Sequence, residues 1–252
     1  MMQDLAQLMV LLDAALRPLV MTFLRVGAVM ALLPAFGEQS VPARLRLVIA
    51  LAFTAVVAPA VMDRHTGDAV LLPALAEVLS GLLIGLSLRL LVLALQTAGA
   101  IAAQSASLSQ LFATAGAEPQ PAFGTLFTLG GLALAVQAGL HVRAAELMIL
   151  SYDLLPAGRI PAASDVATWG TAQGARALSL ALSLSAPFVI AAVLWNVALG
   201  VLNRAMPQLM VSFIGAPALS LGALVLLALV TPLLLPVWLA ALHATLQNPF
   251  AP

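Results

Sequence analysis

Residues 100–124 read AIAAQSASLSQLFATAGAEPQPAFG. The stretch has too few charges for an ordinary solvated loop and too much Ser, Gln, Gly and Pro to lie in lipid. It also sits between two of the most apolar segments of the chain. Irregular backbone of this kind persists at membrane depth only where protein buries it or where it lines a water-filled cavity. That decides the fold class: the flanking runs are membrane-type helices, and the stretch between them is expected to line or close a passage that the rest of the chain positions.

Composition points the same way. Of 252 residues, 63% are hydrophobic and 8% charged, against roughly 25% charged in a soluble domain. Mean hydropathy is +1.10. Too little charge exists to cover a soluble surface, so the chain is an integral membrane protein or a subunit buried in a membrane-associated assembly. Ten Arg and no Lys balance ten acids. The planar, weakly hydrated guanidinium suits buried pairing with carboxylates and carbonyls, although a GC-rich coding bias produces the same usage. Zero net charge argues against a nucleic-acid partner. The lack of Cys removes disulfides and thiolate sites together. No basic residue precedes Arg17, and without a short cleavable signal the first apolar segment is expected to stay in the mature protein.

Apolar runs give about six helices, each near the roughly 20 residues that cross hydrocarbon. The first covers Leu8 to Leu33 and contains Asp13, Arg17 and Arg25, whose spacing by fours and eights puts them on one face. That face is expected to meet protein or water. A Pro/Gly-punctuated link, Pro34 to Arg46, leads to a second helix from Leu47 to about Met62. The third runs from Leu71 to Thr97 and holds Glu77 and Arg89. Twelve residues span more than three turns, so those two cannot pair with each other and each needs a partner elsewhere. The fourth is expected over Phe123 to Leu150, followed by a polar region from Ser151 to Thr171 broken at Pro156, Gly158 and Pro161. The fifth covers Ala177 to Leu202, and LNRAMPQL turns the chain into a sixth. Arg44, Arg46 and Arg204 fall in loops on one side, Arg64, Arg159 and Arg176 on the other. This tie under the positive-inside rule fits a chain whose helices are not all plain lipid-crossing spans.

Candidate chemistry is sparse. A charge at mid-bilayer costs roughly 2.5 to 3.5 kcal/mol on insertion scales, which marks Arg89. Arg204 sits at a turn, where snorkelling or helix capping accounts for it. His65, His141 and His243 have no metal-ligand spacing, and no nucleophile elbow accompanies the serines. The nine Met and the bracketing Phe112 and Phe123 read as apolar filling before they read as a seal. Two rivals stay open: a small secondary transporter using Glu77 and Arg89, and an intramembrane enzyme dependent on a serine or His141.

Several segments then carry a family resemblance. FLRVGAVMALLPAFGEQSVPARLRLVIAL (23–51) includes Arg25, a Pro-Phe-Gly turn and the Val-Pro-x-Arg of Pro42 and Arg44; AEVLSGLLIGLSLRL (76–90) includes Glu77 and Gly85. His141 is followed by SYDLLPAG with Pro156 and Gly158. NVALGVLNRAMPQLMVSFIGAPALSLGALVLL (196–227) contains Asn196, Arg204, Pro207, Gln208, Gly215 and Pro217 in a Gly-x-x-x-Arg-x-x-Pro-Gln and Ile-Gly-x-Pro pattern. Over nearly the whole chain this resembles the FliR family of flagellar biosynthesis proteins and their SctT counterparts in type III secretion. Three positions depart from the family pattern: Ala100 where an acid is usual, Gln104 followed by Ser-Ala-Ser instead of Met-Gly, and Glu118-Pro119 for Asp-Pro.

The resemblance implies an all-α, non-enzymatic export-gate subunit without cofactors, built of broken helical hairpins. Its partners would be FliP and FliQ homologues in the pore, FlhB around it and FlhA below, with unfolded flagellar proteins passing through. The setting would be the lipid of the bacterial inner membrane, at the flagellar basal body. Residues 1–200 would be FliP-like and 177–252 a FliQ-like C-terminal hairpin. The plug of the closed pore would be Ser107, Leu108, Ser109, Gln110, Leu111, Phe112, Ala113, Thr114, Ala115, Gly116, Ala117, Glu118, Pro119, Gln120 and Pro121. Small side chains give such a plug little packing to hold one shape, so opening is expected to be energetically modest.

Overall fold

Apolar helices dominate because a chain with this little polar surface must satisfy its backbone internally. The structure, a computed structural model, describes residues 2–38, 40–65, 69–105, 122–205 and 211–250. These form seven α-helices: α1 Met2–Leu32, α2 Ala43–Val61, α3 Leu71–Ser105, α4 Ala122–Gln137, α5 Leu140–Leu154, α6 Ala163–Ala205 and α7 Val211–Gln247. A short 3₁₀ turn, Met62–Arg64, follows α2. No strand occurs among the described residues, and the all-α expectation holds.

Among the described residues, four helices are long and apolar enough to cross a membrane, and α4 with α5 makes a fifth candidate as one broken span. That is close to the six read from hydropathy. The fourth run breaks where a single helix was expected. Gly139 adopts φ +82 as the N-cap of α5, a left-handed conformation that glycine enters without steric cost. The fifth run starts earlier than expected, at Ala163. Asp165 lies in its first turn, where a carboxylate favours the helix dipole. Trp169 is anchored as well, its Nε1 donating to the Pro249 carbonyl at 2.9 Å while its ring lies 5.6 Å from that of Phe250.

The chain divides into two compact units. The first comprises Met1–Arg89, Val136–Ala172 and His243–Pro252. Its α1 and α3 approach closely because Gly81 and Gly85, one turn apart, offer no side chains to α1. A Cβ on Gly81 would collide with the Arg25 carbonyl, and one on Gly85 would lie 2.9 Å from the Leu32 Cβ. Small residues at this spacing let helix backbones meet without a hydrophobic drive between them. Between α1 and α2, Ala35 takes a left-handed φ of 68, and Phe36 meets Phe53 edge-on at 6.2 Å.

The second unit comprises Leu90–Ala135 and Gln173–Leu242. Phe123 and Phe127 of α4 pack edge-on against Phe188 of α6 at 5.9 and 6.0 Å. Fully buried Trp238 of α7 donates its indole N–H to the Leu91 carbonyl of α3 at 2.8 Å. Backbone contact between Gly99 and Gly124 closes α3 against α4, with no room for a Cβ at Gly99.

Candidate functional site

The first unit is organised around Arg25, which lies on the last half of α1 and has no exposed surface. Its Nε donates to Glu77 Oε2 at 2.6 Å and its NH2 to Glu77 Oε1 at 3.2 Å, a side-on bidentate pair. NH1 donates to the Leu155 carbonyl at 2.9 Å and to Ser151 Oγ at 3.3 Å. The guanidinium carbon stands 3.8 Å over the Tyr152 ring. Glu77 is 1% exposed, and its Oε1 also accepts the Gly158 N–H at 3.0 Å.

These contacts answer the desolvation problem of a buried ion pair, which is stable only when further hydrogen bonds satisfy both partners. The arrangement uses the C-terminal end of α5, where unpaired carbonyls carry partial negative charge and favour a cation. Gly158 is glycine for a local reason: its φ is +69, and a Cβ there would press on Pro73 at 3.3 Å. A single cluster thereby ties together α1, α3, the end of α5 and the loop after it.

His65 borders the cluster. Its Nε2 lies 3.2 Å from Thr22 Oγ1, and its ring meets Tyr152 edge-on at 5.4 Å. Burial holds its pKa below the usual value; the Arg25 charge adds to that and the Glu77 charge opposes it. A cavity of about 40 Å³ lies between His65, Glu77, Arg17 and Gly158.

Arg89, expected to need a partner beyond its own helix, has one: its NH1 donates to Glu38 Oε1 at 2.5 Å in a half-buried pair. Arg64 and Asp153 pair at the exposed end of the unit.

Of the motif residues read from sequence, the structure brings together Arg25, Glu77 and Gly158, with Gly85 two turns along α3 from Glu77. Pro42 stands at the N-cap of α2, and Arg44 is exposed in its first turn. Gln104, His141, Pro156 and Asn196 are exposed and stand outside the cluster. Arg204 is exposed in the last turn of α6, where a cation favours the helix dipole. Gly215 and Pro217 fall in the first turns of α7. Pro207, Gln208 and the whole stretch 107–121 lie outside the described residues. Ser151, Tyr152, Thr22 and His65 were not singled out by sequence, although Ser151 and Tyr152 begin the SYDLLPAG segment. Among the described residues, no three His, Asp or Glu side chains are grouped to hold a metal.

Long apolar helices, with the buried charges of α1 and α3 neutralised by each other and by a helix end, define a helical membrane protein built around a charge-paired core. The chain belongs to the family of bacterial export proteins, family 1, whose model matches residues 16–245. It is similar to the flagellar biosynthetic protein FliR of Caulobacter vibrioides, at 32% identity over 220 residues covering 83% of this chain and 86% of the relative. Similarity extends to the flagellar biosynthetic protein FliR of Escherichia coli K12, at 29% over 220 residues, 84% of each chain. The Pectobacterium carotovorum protein of the same name is 25% identical over 219 residues, covering 85% of this chain and 84% of the relative.

Proposed function

We propose that this chain is a non-enzymatic subunit of a flagellar type III export gate. It assembles with FliP and FliQ homologues into the inner-membrane pore at the basal body, beside FlhB and FlhA homologues, and unfolded flagellar proteins pass through. Family membership along residues 16–245 carries this reading. Residues 1–200 contribute the FliP-like helices and 177–252 the FliQ-like hairpin. In the resting gate, residues 107–121 form the plug.

Helix length supports an assembly. At about 1.5 Å per residue, α3 with 35 residues, α6 with 43 and α7 with 37 hold enough chain for roughly 52, 64 and 55 Å of helix. The hydrocarbon core is about 30 Å thick. Even so, α6 exposes Ile190, Leu194, Val197 and Val201, and α7 exposes Leu221, Val225, Leu229 and Leu233. Helices longer than the bilayer that still expose apolar side chains call for partner helices as well as lipid. Glu77 and Arg89, the residues of the transporter reading, each have a counter-ion, Arg25 and Glu38.

The test is co-expression with FliP and FliQ homologues, purification through a tag on this chain, and native mass spectrometry. One copy of this chain in a discrete assembly with several of each partner is the expected result. A stable monomer or dimer that ignores both partners refutes the proposal. Deleting Ser109 to Ala117 should raise ion leak through the assembled gate, and unchanged leak would remove the plug from it.

A further inference from the structure

We propose that the cavity lined by Glu77 and His65 is a water site through which a protonated His65 reaches Glu77, and that proton uptake by His65 loosens the hold of α3 on the α5–α6 loop. The cavity, about 40 Å³, is lined by Arg17, Met21, His65, Pro73, Glu77 and Gly158. A water needs roughly 10 to 15 Å³ and two to four polar partners. His65, Glu77 and Arg17 are among the residues lining this space, so volume and chemistry both suit a water.

The surroundings of His65 determine what a proton would do. From α1, it faces Thr22 at 3.2 Å, with Arg25 and Arg17 beyond. From α3 it faces Glu77, and from α5 the Tyr152 ring. Its own turn carries Asp63 and Arg64, and Arg64 is engaged by Asp153 of α5. Arg17 has an interaction of its own. Inside the cluster the Arg25 guanidinium is balanced by the Glu77 carboxylate, and Arg17 is a further cation lining the cavity. A neutral imidazole leaves that balance as it stands. An imidazolium adds one more cation facing the same acid.

Glu77 responds with the oxygen it holds less tightly. Oε2 is fixed by Arg25 Nε at 2.6 Å, whereas Oε1 takes longer bonds, 3.2 Å from Arg25 and 3.0 Å from the Gly158 N–H. A water donating to Oε1 while accepting from the imidazolium competes with Gly158 for that oxygen. The loop Leu155–Gly158 then loses its anchor to α3. His65 is half-buried at the end of the turn after α2, so the proton arrives from outside the cluster, and the new N–H is the only covalent bond made.

The test uses the full-length chain in lipid nanodiscs with isotope-labelled histidine. His65 is titrated by NMR from roughly pH 8 to roughly pH 5, the range in which histidine changes charge. Hydrogen exchange of the 155–158 segment is measured across the same range. The expected result is titration of His65 below 6.5, a bound-water signal at its ring, and a protection factor, referred to the intrinsic exchange rate at each pH, that is about tenfold lower in the 155–158 segment on the acid side. His65→Gln should flatten the acid response. Ordinary titration of His65 with a flat protection factor in the wild-type chain overturns the proposal whether or not the variant folds. So does a full acid response in His65→Gln, or the lack of a bound-water signal.

Discussion

Helix α3 takes part in both units, and its two halves are held by different physics. From Leu71 to Arg89 it presents Glu77 and Arg89, each ion-paired to a residue more than fifty positions away. From Leu90 to Ser105 it carries no charge and is held by shape: the Trp238 indole on the Leu91 carbonyl, and the backbone approach of Gly99 to Gly124. A buried ionic cluster fails all at once, because removing one member leaves the other charged and unpaired. A packed apolar interface fails by degrees, in proportion to the volume or clash introduced.

Substitutions can break or sharpen that contrast. The largest loss should follow Glu77→Ala, which strands Arg25 and leaves the Gly158 N–H without its acceptor. Thermal unfolding in mild detergent should show a loss of about 3 to 5 kcal/mol. Next comes the second unit, where Gly99→Val forces a side chain into the Gly124 backbone and should cost about 2 to 3 kcal/mol by overpacking. Trp238→Phe keeps most of the ring but removes the donor to Leu91, a loss of about 1 kcal/mol in the same assay. Smallest is Arg64→Ala: its pair with Asp153 is 42% and 54% exposed, so less than about 1 kcal/mol should be lost, and less again at high salt. Should Arg64→Ala cost as much as Glu77→Ala, the contrast between a buried and a screened charge would collapse.

Much of the first unit was legible in the sequence. The twelve-residue spacing of Glu77 and Arg89 rules out their pairing, and the shared face of Asp13, Arg17 and Arg25 marks α1 as a helix whose charged side meets protein or water. Which residues would meet was not legible, because Arg25 and Glu77 are brought together only by the crossing of α1 on α3. The crossing itself has one signal in the sequence, the GLLIG spacing of Gly81 and Gly85. The break at Gly139 escaped hydropathy, which stays high on both sides of a single left-handed residue. The early start of α6 escaped for the opposite reason. A polar first turn reads as loop until the docking of Trp169 on Pro249 is known.

The central claim is that Arg25 and Glu77 act as one fastening in the first unit, and a double-mutant cycle tests it most directly. Arg25→Met, Glu77→Leu and the double variant would be compared for unfolding free energy in the same detergent. Each single variant should lose about 3 kcal/mol or more, and the double no more than either, since two apolar side chains of similar size leave no stranded charge. Additive losses in the double variant would contradict it and show that the two residues act separately.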